Sequence, residues 1–369
     1  MQEQLFMGSN DNIIGGPFTR VSWEQINLNS FTQVKDYLLS CGWKPTEWTE
    51  AGSPKLTEDS FDSVSGDVPK LLTRRAILMH RKRMLDSVKK NGEEGGLLSF
   101  VRDDGRIESR AITNGTNTGR MRHSQIVNIP SVGSVYGEEF RSLFIAPEGY
   151  VILGIDAAAL EARCQAHYLF KYNGGEELAD LLINGDIHQV NADMWGCSRK
   201  EAKSPYYCLM YGGQPQKLAD TMGCSLSKAK KHYKLFWDTY TPLTSLKTDL
   251  IKVWESRGGK NKGFLKGLDG RKLFARSPHS LVNMMFQSAG SILVKTAACF
   301  MDVSIRKNAL DCSQIIIYHD EMEYEVKEEQ AELAKALAEK SFEKAGIYHK
   351  FNVPLVGEGK IGKSWYSVH

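Results

Sequence analysis

The stretch SRKEAKSPYYCLMYGG, residues 198–213, is the most informative part of this 369-residue chain. Four of its residues recur every four positions: Arg199, Lys203, Tyr207 and Tyr211. A four-residue step on an α-helix passes a full turn by about 40°, so these side chains share one slowly turning stripe. Two cations followed by two aromatic rings suit a ligand with a polyanion at one end and a flat ring at the other, as in a nucleoside triphosphate. A solvated amphipathic helix with two half-buried tyrosines is the alternative interpretation.

The composition is that of an ordinary globular protein, with 25% charged and 10% aromatic residues. Forty-seven Lys and Arg residues against 44 Asp and Glu give a net charge of only +3. Affinity for nucleic acid would therefore have to come from a local basic surface. The length is sufficient for two or three packed substructures.

Seven cysteines are scattered along the chain and form no C-x-x-C pair. This pattern argues against a disulfide framework and against a structural zinc site, and it fits a reducing cytoplasm. The residues after Met1 are polar and lack an apolar core, so we expect no signal peptide. No run approaches eighteen apolar residues, so we expect no membrane-spanning segment and a cytoplasmic location.

Hydrophobic periodicity predicts strands in two parts of the chain, 97–155 and 313–326, separated by an almost entirely helical block. The predicted strands are Leu97–Val101 and Ile107–Ile112 around an Asp-Asp-Gly turn, Tyr150–Ile155, Ser313–Tyr318 and Met322–Val326. The predicted helices are Asn29–Gly42, Pro69–Asn91, Leu160–Tyr172, Glu176–Ile183, Lys200–Tyr211, Ser227–Trp237, Pro242–Gly258, Ser280–Asn308 and Glu328–Ala345. This arrangement is expected of one sheet domain interrupted by a helical insertion, an α+β fold.

Two carboxylates stand out by position, Asp156 at the end of an apolar strand and Asp320 beside the turn of a predicted hairpin. In the following strand, Met322–Val326, apolar residues alternate with glutamates, so period two places Asp320 on the apolar side unless the turn breaks the parity. A carboxylate directed at a core is costly unless it is neutralised, and a divalent cation such as Mg²⁺ removes that cost. The alternatives are a helix cap for Asp156 and an ordinary turn residue for Asp320.

A second cluster follows the helical block, with spacings of three, four and four residues: Arg276, His279, Asn283 and Gln287. These spacings place hydrogen-bonding groups of both polarities on one face of a helix that is otherwise apolar. Such groups suit the minor-groove acceptors of paired bases. An ordinary solvated helix face is the alternative.

Three stretches, in this order, resemble motifs A, B and C of the family A (Pol I-like) DNA polymerases: GIDAAALEARCQAH (154–167), RKEAKSPYYCLMYGG (199–213) and YHDEMEY (318–324). Three more are similar to the replicative enzymes of short-tailed phages: TGR (118–120), NGDIH (184–188) and KGLDGRKLFARSPHSLVNMMFQSAG (266–290). The resemblance extends from around residue 30 to His369. It implies a DNA-directed DNA polymerase, a nucleotidyltransferase of viral DNA replication that would act in the host cytoplasm.

The resemblance also implies a right-hand polymerase fold with an antiparallel palm sheet, a helical fingers insertion and a partial thumb. Residues 1–92 would form a leader and partial thumb, 93–164 the first part of the palm, 165–289 the fingers, and 290–369 the second part of the palm. Relatives of this type carry a 3′–5′ exonuclease and most of the thumb before the matched region. Two interpretations follow: either a separate chain carries the exonuclease and thumb, or the sequence is part of a longer protein. The other expected partners are primer–template DNA and dNTPs, with the processivity factor left open.

For catalysis, the resemblance implies two Mg²⁺ ions held by Asp156, Asp320 and the backbone carbonyl of Ala157. These ions would activate the primer 3′-hydroxyl and stabilise charge on the phosphates. Glu321 would lie beside them in a supporting role, and Lys203 would donate a proton to the leaving pyrophosphate.

The residues expected to bind the nucleotide are His188, Arg199, Lys203, Tyr207 and Glu161, and those expected to contact DNA are Arg120, Tyr211, Arg276, His279, Asn283 and Gln287. In this family pattern, Tyr207 lies near the incoming base and sugar and Tyr211 stacks against the template. Glu161 would lie under the sugar and exclude a 2′-hydroxyl.

Two residues depart from the family pattern. Pro205 removes one backbone donor from the motif B helix, and Cys208 replaces a glycine.

Two other functions are compatible with parts of the same pattern. A single-subunit RNA polymerase shares the two aspartates and the Arg-Lys-Tyr helix, but Glu161 argues against it because it would obstruct a 2′-hydroxyl. The other is a non-catalytic DNA-binding subunit that acts only with a partner chain.

Overall fold

Contacts within the chain divide it into two units, Met1–Ser99 and Phe100–His369, which are described separately. In the computed structural model, the described residues are 6–7, 13–14, 25–45, 52–56, 63–88, 92–126, 128–318 and 320–369. Two predicted features, the helix end at Asn91 and His319 of the motif C stretch, lie outside these ranges.

Among the described residues of the first unit are the helices α1 (Phe31–Ser40) and α2 (Asp67–Leu85), and both were predicted. The Ser30 hydroxyl accepts a hydrogen bond from the Gln33 N–H and so caps α1. The short antiparallel strand pairs of this unit are β1 (Phe6–Met7) with β2 (Ile13–Ile14), and β3 (Ser87–Val88) with β4 (Glu94–Gly95). The helix α2 ends earlier than predicted because the chain turns into β3, which pairs with β4.

The second unit is built on a four-stranded antiparallel sheet with the strand order β10-β11-β7-β12. The strands of the second unit are β5 (Arg110–Ile112), β6 (Arg122–Ser124), β7 (Tyr150–Ala157), β8 (Phe264–Lys266), β9 (Lys272–Phe274), β10 (Cys312–Tyr318), β11 (Glu321–Lys327) and β12 (Gly357–Gly362). The pairs β5–β6 and β8–β9 are separate two-stranded sheets. Three strands of the main sheet were predicted, whereas β12 was missed because three of its six residues are glycines, which are depleted in strands.

The helices of the second unit are α3 (Gly137–Ser142), α4 (Leu160–Leu169), α5 (Gly175–Ile183), α6 (Ile187–Trp195), α7 (Arg199–Met210), α8 (Pro215–Met222), α9 (Leu226–Thr239), α10 (Thr241–Ser256), α11 (Gly259–Lys262), α12 (Leu281–Lys307) and α13 (Ala331–Tyr348). The block from α4 to α11 separates β7 from the later strands of the sheet. The predicted α+β class, with a helical insertion into an antiparallel sheet, is confirmed. The sequence did not predict α3, α6, α8 and α11 as separate helices.

The central strand β7 is buried on both faces, which explains its continuous apolar run VILGI. One face, with Leu153 and Ile155, belongs to the main core together with α12 and α13. On the other face, Ile152 packs with Trp365 and Val368 from the C-terminal segment. The sheet is therefore a shared wall between two hydrophobic clusters.

The helix α12 is long and apolar enough to cross a membrane if only length and composition are considered. More than half of its residues are buried within the second unit, where it packs against α4 and α13. Core helices of this kind pass the same test. Burial in the core thus accounts for its apolar sequence.

The hairpin predicted around residues 103–105 is only partly correct. The turn is present, since the Gly105 N–H donates to the Arg102 carbonyl at 2.8 Å. The predicted strand Leu97–Val101 is wrong, because Leu97–Phe100 forms a 3₁₀ helix and Val101 makes only one bridge, to Ile107. The other strand is reduced to β5, which pairs with β6 instead.

Replacing Leu153 with Ala is expected to lower the free energy of unfolding by about 2–5 kcal/mol, because this fully buried side chain fills the centre of the sheet core. Urea unfolding monitored by circular dichroism measures the loss. The matched control is Leu333→Ala on the exposed side of α13, where the expected change is under about 0.5 kcal/mol. Equal losses for the two variants would contradict the central position given to β7.

Candidate active site

Two acidic residues from distant parts of the chain meet at one end of the main sheet. The strands β7 and β11 are antiparallel neighbours, and Asp156 lies directly opposite Glu321. The Ala157 N–H donates a hydrogen bond to the Asp320 carbonyl at 3.2 Å. Asp320, in the turn before β11, is therefore adjacent to the end of β7. On the other side of β7, Asp156 lies opposite Glu358 of β12.

The Asp156 carboxyl reaches solvent but lies close to protein atoms and to other negative charges. Partial burial, followed by the charges of Asp320 and Glu321, raises the pKa of Asp156 to about 6. A hydrogen bond from the Ala157 N–H acts in the opposite direction. This end of the sheet thus concentrates negative charge near neutral pH, which favours a bound cation.

The prediction that strand alternation places Asp320 on the apolar side is wrong. Asp320 is exposed, and the buried carboxyl groups are those of Glu321 and Glu323. Asp320 lies in the turn, where the alternation of a strand does not apply. The strand β11 is buried on both faces, so its glutamates are enclosed as well as its apolar residues.

The carboxylate of Glu321 is held by the C-terminal segment. The indole N–H of Trp365 donates to Glu321 Oε1 at 2.9 Å, and His369 Nδ1 lies 3.0 Å from the same oxygen. Burial acts to raise the pKa of Glu321, but the interactions with His369, Glu323 and Trp365 outweigh it and the pKa is lowered. Burial and the neighbouring Glu321 raise the pKa of Glu323, which is therefore protonated at neutral pH.

One possible metal-binding cluster among the described residues is Glu321, Glu323 and His369, whose ligand atoms lie within 4.8 Å of one another. The Arg141 guanidinium lies 4.4 Å from the centroid of the Trp365 ring and interacts electrostatically with both glutamates. The proton on Glu323 and these cationic and N–H groups compensate the cluster from within the protein. Asp156 and Asp320 lie at the solvent-open end of the strands. The Ala157 N–H and the charge of His369 compensate Asp156 only in part, so this pair suits a divalent cation better.

The sequence-predicted stripe lies on α7 and its C-terminal cap. Ser198 and Glu201 form a capping box that fixes where the helix begins, and α7 continues through Pro205. Arg199 and Lys203 are exposed, Tyr207 is half-buried, and Tyr211 is 49% exposed. The rings of Tyr207 and Tyr211 stack at 6.1 Å with an interplanar angle of 22°. Cations and stacked rings therefore follow one another along an accessible face.

His188 belongs to the same surface. Its ring lies 5.6 Å from the ring of Tyr207, and partial burial lowers its pKa, assisted by Lys203 and Arg199. The Arg199 side chain forms an ion pair with Asp186 at 2.5 Å, and Asp186 also caps α6. Sequence reasoning missed Asp186, although an acidic residue two positions before His188 was the available signal.

Glu161 joins the stripe to the end of the sheet. It lies in the first turn of α4, directly after β7, and its Oε2 is 3.4 Å from the Tyr211 hydroxyl. Partial burial raises the pKa of Glu161, while the Tyr211 hydroxyl and the positive charge of Arg120 lower it. Arg120 is thus near the same carboxylate.

The four-residue cluster near α12 is only partly on one helix. Asn283 and Gln287 lie on α12 and His279 lies in the 3₁₀ turn before it, but Arg276 lies in the preceding loop. The expectation of one helical face is wrong for Arg276, because regular helical geometry begins only at Pro278. The carbonyl of His279 packs against Gly212, where a β-carbon would lie 2.1 Å from that oxygen. This contact joins the cluster to the end of the stripe.

Comparison with known proteins gives consistent results. The sequence model of "DNA polymerase family A" matches residues 15–367. The DNA-directed DNA polymerases of Escherichia phage T7 and Enterobacteria phage T3 are each 29% identical over 401 residues, covering 100% of this chain and 56% of the relative. The thermostable DNA polymerase I of Thermus filiformis is 26% identical, covering 95% of this chain and 43% of its own length. This chain therefore spans about half the length of these curated relatives.

A solved structure of similar fold is the POL domain of Pol1 from M. smegmatis, in complex with DNA primer-template and dNTP. The TM-score is 0.71 and the sequence identity is 22%, covering 93% of this chain and 62% of that chain. At this identity the likeness concerns the fold.

The raised pKa of Asp156 predicts a pH-dependent effect of Asp156→Asn in metal-free buffer. The folded-state pKa, about 6, lies above the unfolded value, so the wild type loses stability as pH rises between about 4 and 6. The Asn variant should therefore be more stable than the wild type at about pH 8, and the two should converge near about pH 4. Thermal unfolding at both pH values, with the exposed Glu343→Gln as control, measures this. If Asp156→Asn were less stable than the wild type at the higher pH, the result would contradict an unfavourable environment for the charged Asp156 carboxylate.

Proposed function

The chain belongs to DNA polymerase family A, and we propose that it forms the catalytic region of a DNA-directed DNA polymerase. In this reaction a primer 3′-hydroxyl attacks the α-phosphate of a dNTP selected by the template, and pyrophosphate leaves. The observation that carries the proposal is the contact between Tyr211 and Glu161. It joins the cationic and aromatic stripe of α7 to the acidic end of β7 and β11.

Metal binding is supported at the end of the sheet by the raised pKa of Asp156, which results first from partial burial and then from the neighbouring charges of Asp320 and Glu321. Asp156 and Asp320, with the carbonyl of Ala157, would hold two Mg²⁺ ions. When bound, Mg²⁺ would supply Lewis-acid activation of the 3′-hydroxyl and neutralise charge on the phosphates. Glu321 would support this site from its buried side, since its carboxylate is held by Trp365 and His369.

The exposed cations of the stripe would bind the triphosphate. Arg199 is held by Asp186, so its guanidinium is partly fixed before the nucleotide arrives. Lys203 lies one helical turn further along and would donate a proton to the leaving pyrophosphate. His188, uncharged at neutral pH because its pKa is lowered, would donate a ring N–H to a phosphate oxygen.

The aromatic end of the stripe would hold the incoming base and the template. The stacked rings of Tyr207 and Tyr211 provide flat surfaces of suitable spacing. Glu161, beside Tyr211, would lie under the deoxyribose and exclude a 2′-hydroxyl. Arg120 would contact the nucleic-acid backbone near the same position.

The primer–template duplex would lie along the start of α12. Asn283 and Gln287 offer donors and acceptors to base edges there, with His279 and Arg276 extending the surface towards the preceding loop. In this assignment residues 93–164 and 290–369 form the palm, 165–289 the fingers and 1–92 a partial thumb. The two phage relatives, aligned over the whole chain, support a role in viral DNA replication.

Replacement of Asp156 or Asp320 by Ala is expected to lower template-directed dNTP incorporation by about 10³-fold or more, because a metal-binding carboxylate is lost. Single-turnover primer extension with Mg²⁺ measures the rate, and circular dichroism checks the fold. The matched control is Glu358→Gln, an exposed acid beside Asp156 that has no assigned role. Turnover close to wild type in either aspartate variant would contradict the metal assignment.

The Glu161→Ala variant is expected to incorporate ribonucleotides more readily, by about 10- to 100-fold relative to dNTPs, because the barrier to a 2′-hydroxyl is removed. The ratio of kcat/KM for dATP and ATP on one primer–template measures the selectivity. Glu177→Ala, an exposed glutamate on α5, is the control. A wild-type preference for NTPs would instead favour an RNA polymerase, and DNA binding without any extension would favour a non-catalytic subunit.

A further inference from the structure

The polar row on α12 continues beyond the residues proposed to contact DNA. Asn283 and Gln287 are followed at the same four-residue spacing by Ser291 and Lys295. The helix around them is apolar and mostly buried. One stripe of α12 therefore carries two pairs of polar side chains, and the second pair faces protein.

The second pair, Ser291 and Lys295, forms hydrogen bonds with the loop that connects β5 to β6. The Ser291 hydroxyl donates to the Gly119 carbonyl at 2.7 Å, and the Lys295 ammonium donates to the carbonyls of Gly119 and Thr113. The loop itself is closed by a turn in which the Gly119 N–H donates to the Thr116 carbonyl at 2.9 Å. Two side chains of α12 thus bind both ends of this short segment.

The same turn is restrained from another side by Arg271. Its Nη1 donates to Asn114 Oδ1 at 3.3 Å, and its Nε is anchored by Asp269 at 2.7 Å. Gly119 has a φ of +79°, and a β-carbon there would lie 2.2 Å from Arg271 Nη1. The turn therefore has a left-handed residue, which favours glycine, packed closely against the Arg271 guanidinium.

Arg120, the next residue, is directed towards the nucleotide end of the site. It lines a small cavity together with Ser291 and Lys295, and its charge acts on Glu161 and on the Tyr211 hydroxyl. Its position follows from that of Gly119, because the two share a peptide bond. Displacing the turn would displace the guanidinium.

We propose that Ser291 and Lys295 are positioning residues that fix the turn ending at Gly119 and so hold Arg120 beside Glu161. This inference rests on the proposed function, since Arg120 is assigned to nucleic-acid contact there. One rigid helix, α12, would then align two kinds of contact with the nucleic acid. Asn283 and Gln287 would contact base edges directly, and Ser291 and Lys295 would position Arg120 by restraining the turn before it. The predicted consequence is selectivity for a correctly paired primer end.

The choice of a lysine has a physical reason. A hydrogen bond from an ammonium to a carbonyl is stronger than one between neutral groups, and here one ammonium satisfies two carbonyls. Lys295→Met keeps the length and apolar stem of the side chain but removes both donations. Lys295→Arg keeps a positive charge and several N–H donors, so it tests whether donation is what matters.

The first measurement needs no substrate. Hydrogen exchange at the Gly119 amide, followed by mass spectrometry of peptides spanning 113–121, should be about tenfold faster in Lys295→Met because the turn opens more often. Ser291→Ala should give a smaller increase in the same peptides, and Lys295→Arg should restore part of the protection. The control is Ser304→Ala, a buried serine of the same helix whose hydroxyl donates to the Phe300 carbonyl of that helix.

The second measurement uses primer extension on matched and mismatched primer ends. Lys295→Met should lower kcat/KM on the matched end by about 10- to 100-fold, with a smaller loss on the mismatched end. Because Lys295 acts through Arg120, the double variant with Arg120→Ala should be no slower than Arg120→Ala alone. A merely structural role would give additive losses.

Unchanged hydrogen exchange at Gly119 in both Lys295→Met and Ser291→Ala would contradict the proposed clamp, meaning the restraint of the 113–119 turn by Ser291 and Lys295. This holds whatever the polymerase activity of the variants. Faster exchange with additive kinetic losses would overturn the action through Arg120. If the wild type extends no primer, the proposed function fails, while the exchange measurement still decides whether the clamp exists.

Discussion

Backbone pairing between β7 and β11 is the constraint on which the candidate site depends. It joins segments more than 160 residues apart and sets Asp156 opposite Glu321, with Asp320 in the adjoining turn. The pairing is fixed because β7 is buried on both faces, so a shift of one residue would exchange its two apolar surfaces. The acidic residues are therefore brought together by the burial of their apolar neighbours.

The carboxyl groups at this end of the sheet are stabilised in two different ways. The buried glutamates are compensated within the protein, Glu321 by Trp365 and His369 and Glu323 by keeping its proton. Asp156 is compensated only in part, and burial together with the charges of Asp320 and Glu321 raises its pKa. The buried glutamates Glu321 and Glu323 thus support the strands, while the exposed aspartates Asp156 and Asp320 retain the capacity to attract cations.

The elements around the sheet are connected to it by a few polar contacts. Tyr211 reaches Glu161 after β7, His279 packs on Gly212 after α7, and Lys295 grips the loop before β6. Each contact joins two segments that are distant along the chain and that carry assigned side chains. The packing of α12 in the core makes it a rigid reference for both the stripe and the loop.

The sequence by itself determined the strands and helices with clear periodicity, the stripe from Arg199 to Tyr211, and the family motifs. These depend on neighbours along the chain, which period and residue type record. Tertiary structure alone decided that Asp320 is exposed, that the glycine-rich β12 completes the sheet, and that Arg276 lies off the helix. In those cases a turn, a distant strand or a proline overrides the local pattern, because the energy comes from pairing and burial between distant segments.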